Sequence, residues 1–164
     1  MTTEKFHRLS FGAHRKNIYL IEKFLEDICD YYNINNTYFA HMHTAVTEAA
    51  ENAIIHGNKN NPDKKVTIDF KIKKEGFAFI VKDEGQGFVA DIVPDPTDPE
   101  ADFSKTEGRG LFVMKSLADE VIYHNNGNTI ELLFKQASIT KQMAQDRMQT
   151  LLDSIENAHK KQTH

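Results

Sequence analysis

Apolar residues recur along this chain with two different periods, and the switches between them set an expected order of elements. Phe6 to Phe11 mixes apolar and polar residues as a strand does, and His14 to Tyr32 carries Ile18, Ile21, Leu25 and Ile28 at helical spacing. After the polar break Asn33 to Asn36, the positions of Phe39, Met42, Val46, Ala50 and Ile54 predict a second helix over Thr37 to His56, with Gly57 as its terminator. Alternation at Val66, Ile68, Phe70 and Ile72, then at Phe77, Phe79 and Val81, predicts two strands joined by a tight turn at Lys74-Glu75-Gly76. Leu111, Met114 and Leu117 predict a third helix over Gly108 to Leu117 that opens at a glycine pair. Val121 to Tyr123 and Thr129 to Phe134 flank Asn125-Asn126-Gly127-Asn128, a strong hairpin turn. From Ser138 onward, Ile139, Met143, Met148, Leu152 and Ile155 predict a long amphipathic helix.

This order predicts an α+β fold: a two-layer sandwich whose mixed, mostly antiparallel sheet is covered by helices, with an extra C-terminal helix. The expected division is one domain over residues 1–137 and a helical extension over 138–164. The bland reading of that extension is a helix packed on its own domain; the sharper one is a homodimer or partner helix. Residues 83–107 fit neither period. They contain Pro94, Pro96 and Pro99 and eight acids against one base, Lys105. A loop this long in a compact domain is expected to be a lid, a binding loop or a disordered segment. Its acids, among them Asp95, Asp98, Glu100 and Asp102, are expected to face solvent or a basic partner surface rather than a bound anion.

Composition narrows the field. At 164 residues, 40% of them apolar, the chain can bury a self-supporting core without a disulfide or metal staple. A net charge of −4 supplies no broad cationic surface for nucleic acid. No uncharged apolar stretch is long enough to cross a bilayer. The start, Met-Thr-Thr-Glu-Lys, leads into no signal-like run, and the lone Cys29 cannot form an internal disulfide, so the cytoplasm is the expected compartment. Cys29 lies on the apolar side of the first helix and is expected to be a core residue. His41 and His43 point different ways on a helix, and His159 and His164 sit near a terminus, so no structural metal site is expected.

Three segments carry chemistry. In Thr47 to Asn58, the residues Glu48, Asn52 and His56 recur every four positions and so line one helix face. A carboxylate there can take a proton, and an amide oxygen is a hard ligand suited to Mg²⁺. In Val81-Lys82-Asp83-Glu84-Gly85-Gln86-Gly87-Phe88, the glycines let the backbone pass close to a ligand, and Asp83 places an acceptor at a strand end, where it could bind an exocyclic amine such as that of adenine. In Thr106 to Met114, Gly108 and Gly110 open a helix whose free N–H groups and dipole suit a phosphate, and Arg109 adds a planar fork. Taken singly, each has an ordinary explanation: a solvated helix face, a turn, a helix start. The third segment is neither a Walker loop nor a dinucleotide fingerprint.

Together, the Glu-x-x-x-Asn helix, the Asp-x-Gly-x-Gly turn and the Gly-x-Gly helix start, in this order and separated by a variable lid, resemble the Bergerat-fold ATPases. His56-Gly57, Gly108-Arg109-Gly110-Leu111 and Met114 to Val121 look most like the bacterial anti-sigma-factor serine kinases. Over about residues 5–135 the resemblance implies ATP and Mg²⁺ as cofactors. Glu48 would orient or deprotonate a serine hydroxyl, Asn52 would ligate Mg²⁺, and Asp83 would accept from adenine. Gly85 and Gly87 would shape the adenine pocket, Thr129 would lie near it, and Gly108 and Gly110 would meet the phosphates. Arg109 would contact the γ-phosphate or the protein substrate. The implied function is an anti-sigma regulator that holds a sigma factor inactive and phosphorylates a serine on an anti-anti-sigma protein. The alternative is a nucleotide-gated binding module with little transfer activity. Retention of Glu48 favours the kinase, because a pure binding module needs the adenine pocket but no base.

Overall fold

The computed structural model describes residues 7–86, 106–135 and 141–162. Strand β1 (His7–Gly12) leads through a short 3-10 turn at Arg15–Asn17 into helix α1 (Tyr19–Tyr32), and α2 (Asn36–Asn52) follows. The first predicted helix therefore starts later than its apolar spacing indicated. His14 Nδ1 accepts the Lys16 N–H at 3.0 Å and tightens the entry into the 3-10 turn. Asn33, at φ 54°, ends α1 in the left-handed conformation, and Asn35 caps α2 by accepting the Thr37 N–H at 2.9 Å.

The strands β2 (Lys65–Lys73), β3 (Gly76–Lys82), β4 (Glu120–His124) and β5 (Thr129–Lys135) join β1 in one five-stranded sheet of order β1-β2-β3-β5-β4. All four pairings are antiparallel. Period-two alternation sends Val66, Ile68 and Phe70 of β2, Phe77, Phe79 and Val81 of β3, and Ile130, Leu132 and Phe134 of β5 to the same side. There they meet Ile21, Leu25 and Ile28 of α1 and Met42, Ala45, Val46, Ala49 and Ala50 of α2 in one core. The opposite face is mixed, with charged pairs beside the apolar Ala78, Ile80, Ile122 and Leu133. On it Arg8 grips Asp69 through two bonds of 2.6 and 3.0 Å, and Glu131 takes His124 at 3.0 Å and Lys73 at 3.4 Å. Arg8, His124 and Lys73 are each about half exposed, so these pairs add little stability.

Helix α3 (Thr106–Leu117) packs on α2, and α4 (Lys141–Gln162) covers both. Among the described side chains of α4, Leu151 is the buried one, flanked by the partly buried Met148 and Ile155. Leu152 is 53% exposed, so the buried stripe is turned by one residue from the expected one. Met148–Leu151–Ile155 and Met148–Leu152–Ile155 are equally good helical spacings, and only docking against α2 and α3 chooses between them. Ile139 and the Met143 side chain lie outside the described residues. Among the described residues no helix is long and apolar enough to cross a membrane.

Cys29 is buried on α1, and loss of solvent, with Asp30 nearby, pushes its thiol up to about 11. The native protein is therefore expected to resist thiol-specific alkylation at pH 8, with full reaction only in denaturant. A mass spectrum showing fast labelling of the native chain would contradict this burial.

Candidate functional site

The site assembles where α2 ends. Helix α2 carries Glu48 and Asn52 on successive turns, both half-buried. It then widens into a π-helical turn over Ala53–Gly57, in which the Asn58 N–H donates to the Ala53 carbonyl at 2.8 Å. The predicted helix to His56 is thus split, and His56 belongs to the π turn rather than to the regular face of Glu48 and Asn52. Such single turns commonly mark functional sites. Gly57 is not a left-handed terminator: Gly127, in the β4–β5 turn, is the glycine found at positive φ among the described residues. Gly57 lacks a side chain for another reason. A Cβ at Gly57 would overlap the Asp83 carboxylate.

Asp83 follows the last residue of β3 and is only 7% exposed. Its Oδ1 accepts the Gly85 N–H at 2.7 Å, and its own N–H donates to the Asn128 carbonyl at 2.9 Å. A side chain at Gly85 would run into the Gly57 carbonyl, so the two glycines hold the π turn and the Asp-x-Gly turn in backbone contact around one carboxylate. Burial pushes the Asp83 carboxyl above its ordinary range, while the Gly85 N–H and the Lys64 charge pull it back. Thr129 begins β5 opposite Lys82, is 6% exposed, and donates its hydroxyl to Asn128 Oδ1 at 3.1 Å. Gly57, Asp83 and Gly85 therefore form one cluster, and Thr129 is tied to it through Asn128, whose carbonyl holds the Asp83 N–H. Gly87 lies outside the described residues.

The second cluster joins α2 to α3. A Cβ on Gly110 would stand 3.0 Å from Glu48 Oε2 and 3.2 Å from both terminal atoms of Asn52. The carboxylate and the amide thus lie side by side against a bare stretch of helix. Helix α3 starts at Thr106, two residues before the expected glycine opening. Gly108 accordingly sits in the first turn, where N–H groups have no intrahelical acceptor, and Gly110 sits beyond it. Gly108 thus has an N–H free of the helix ladder, and a side chain at Gly110 would crowd Glu48 and Asn52. The Arg109 side chain lies outside the described residues.

Among the described residues no three His, Cys, Asp or Glu side chains group as a metal site. One amide oxygen beside one carboxylate still fits Mg²⁺, which keeps several waters and takes most of its remaining ligands from phosphates. Sequence reasoning missed Asn58, which is 1% exposed and bonds Lys65 and Glu84. The signal available was an amide side chain immediately after His56-Gly57, which reads equally well as a turn residue.

Gly110→Ala tests the second cluster. Alanine in a helix interior is favoured over glycine by about 1 kcal/mol, which offsets the tight contact, so the melting temperature is expected to stay level or rise. The displaced Glu48 and Asn52 ends are expected to lower the turnover of any reaction they support by roughly tenfold. Unchanged turnover in a folded Gly110→Ala variant would show that the contact has no catalytic role.

Residues 11–134 match the family model of the histidine kinase-like ATPase domain. Proteins named serine-protein kinase RsbW from Staphylococcus aureus strains JH9 and Newman are each 36% identical to this chain over 95 residues. The match spans 54% of this chain and 60% of those relatives.

Proposed function

The chain belongs to the histidine kinase-like ATPase domain family, and from that premise we propose that it binds ATP with Mg²⁺ and phosphorylates a serine on a partner protein. The observation that carries this reading is the pairing of two clusters at the two ends of one helix-and-turn segment. A buried acceptor, Asp83, is wrapped by Gly57 and Gly85, and a carboxylate–amide pair, Glu48 and Asn52, faces α3. The first suits an adenine amine and the second suits the phosphate end of a nucleotide.

In this reading Asp83 Oδ2 accepts from the adenine amine while Oδ1 stays on the Gly85 N–H. Gly87 would help shape the adenine pocket and Thr129 would lie near it. Asn52 would hold Mg²⁺, which when bound screens the phosphate charge. The Gly108 amide and Arg109 meet the phosphates, the latter at the γ-phosphate or on the protein substrate. Glu48 accepts the serine proton as the serine oxygen bonds to the γ-phosphorus and the bridging oxygen leaves with ADP, so positioning and charge neutralisation supply most of the rate.

The acceptor is proposed to be a serine of an anti-anti-sigma protein, and the transfer to control how this chain holds a sigma factor in the cytoplasm. The name of the relatives, serine-protein kinase, supports transfer to a serine; the sigma and anti-anti-sigma partners follow from the resemblance of His56-Gly57, Gly108 to Leu111 and Met114 to Val121. Residues 1–137 are the nucleotide unit in this scheme, and residues 138–164 are an extension bracing α2 and α3.

The test is titration of the purified chain with Mg·ATP, followed by mass spectrometry of an anti-anti-sigma-type protein from the same genome after incubation. Binding plus one added phosphate on serine is the expected result. Binding without transfer would make the chain a nucleotide-gated sequestering module, and absence of ATP binding would end the reading altogether.

A further inference from the structure

Asn58 is the most buried polar side chain among the described residues, and each of its groups reaches a different part of the fold. Its backbone N–H closes the π turn on Ala53. Its Nδ2 donates to the Lys65 carbonyl at 3.0 Å, where β2 begins, and its Oδ1 accepts the Glu84 N–H at 2.9 Å. Glu84 answers through its own carboxylate, which accepts the Lys65 N–H at 2.7 Å. The three consecutive amides of Asp83, Glu84 and Gly85 are therefore all tied, to the Asn128 carbonyl, to Asn58 and to the Asp83 side chain. Of these acceptors Asn58 is the one side chain supplied from outside the turn. It also adjoins Gly57, whose backbone abuts the Asp83 carboxylate. One dipeptide thus presses on the carboxylate with its backbone and anchors the next amide with its side chain.

We infer that Asn58 is a positioning residue for base recognition: it fixes the Asp83 turn against Gly57 and so sets the discrimination of adenine from guanine. The inference rests on the reading that Asp83 accepts from the adenine amine. Guanine carries a carbonyl oxygen at the corresponding ring position, and a carboxylate held in place repels it. A hydrogen bond weakens steeply outside its narrow range of distance and angle, so a turn free to shift loses the attraction to one base and the repulsion of the other. The phosphate end, held by α2 and α3, does not depend on this turn.

The experiment uses the full chain and isothermal titration with Mg·ATP, Mg·GTP and inorganic tripolyphosphate. Asn58→Leu removes both side-chain bonds while keeping the same branched heavy-atom count, and Asn58→Ser is too short to span both partners; either folded variant decides the question. ATP affinity is expected to fall by about tenfold, the loss of roughly one buried hydrogen bond. GTP and tripolyphosphate are expected to stay within about twofold, so the ATP-to-GTP preference falls by about tenfold. Asn58→Asp keeps an acceptor for the Glu84 N–H and is expected to keep that preference within about threefold of wild type. A preference unchanged in the leucine or serine variant, or a parallel weakening of all three ligands as general loosening would cause, overturns the assignment. A wild-type chain that binds ATP no better than GTP overturns the Asp83 reading and this inference together.

Discussion

Replacing Glu48 by glutamine is expected to leave Mg·ATP binding within about threefold of wild type and to lower phosphoryl transfer to serine by roughly 10²- to 10⁴-fold, the usual contribution of a positioned proton acceptor. Glutamine preserves the shape and the contact with α3 beside Gly110. What it removes is the proposed ability to take the serine proton. The neighbouring Asn52, the proposed Mg²⁺ ligand, is untouched, so binding and transfer are expected to separate. Single-turnover kinetics with the serine acceptor measure the step directly. Transfer at the wild-type rate would show that Glu48 serves the helix face alone, and a joint loss of binding and transfer would mean that the side chain holds the pocket together instead.

Asp83→Asn is expected to weaken ATP by roughly 10- to 100-fold, because the proposed charge-assisted bond to the base would be exchanged for an amide that can present a donor to a donor. The same variant is expected to be at least as stable as wild type when nucleotide is absent. The sign follows from burial. The folded pKa of Asp83 lies above its ordinary value of 3.8, so the native state binds its proton more readily than the unfolded chain does. Ionised Asp83 therefore costs stability at neutral pH. That cost is absent when both states are protonated, below the ordinary value, and is complete once pH passes the raised folded pKa. Thermal melts of the two proteins should differ most near pH 7, with the variant higher, and converge as pH falls toward 4. A variant that melts lower at pH 7 would mean that the carboxylate is a structural anchor. A variant that binds ATP as wild type does would remove Asp83 from base recognition.

Much of the fold is legible in the sequence because its two periods are clean. The β2 and β3 alternation holds through Val66–Phe70 and Phe77–Val81, with Ile72 left 45% exposed at the hairpin end, and the tight connection reduces to Lys74 and Glu75 between paired Lys73 and Gly76. The Asn125-to-Asn128 turn is equally clear, since Asn125 and Gly127 supply the positive φ values it needs. The features that stayed hidden depend on contacts between distant segments. Ala53, Ile54 and Ile55 are as apolar as an α-helix requires, and the wider turn they adopt brings Gly57 onto Asp83, a partner far along the chain. Gly110 reads locally as a phosphate loop, yet its missing side chain answers to Glu48 and Asn52 on another helix. The adjacent Leu151 and Leu152 are indistinguishable by spacing, and tertiary packing separates them. The motif residues themselves are legible as types in an order, while their division into a cluster around Asp83 and a second cluster of Glu48, Asn52 and Gly110 comes from the sheet and from α3.

The pairing of β3 with β5 has a consequence for how the molecule folds. It unites Gly76–Lys82 with Thr129–Lys135 across the acidic segment and α3, whereas β2 with β3 and β4 with β5 are neighbours in sequence. Closing so long a loop is the slow, entropically expensive step of this topology. Glu48, Asn52 and Asp83 lie on one side of that seam, and Gly110 and Thr129 on the other. A refolding chain is thus expected to form its hairpins and α1–α2 early and to gain nucleotide binding only in its last kinetic phase, so that a fluorescent ATP analogue reports the closing of the seam.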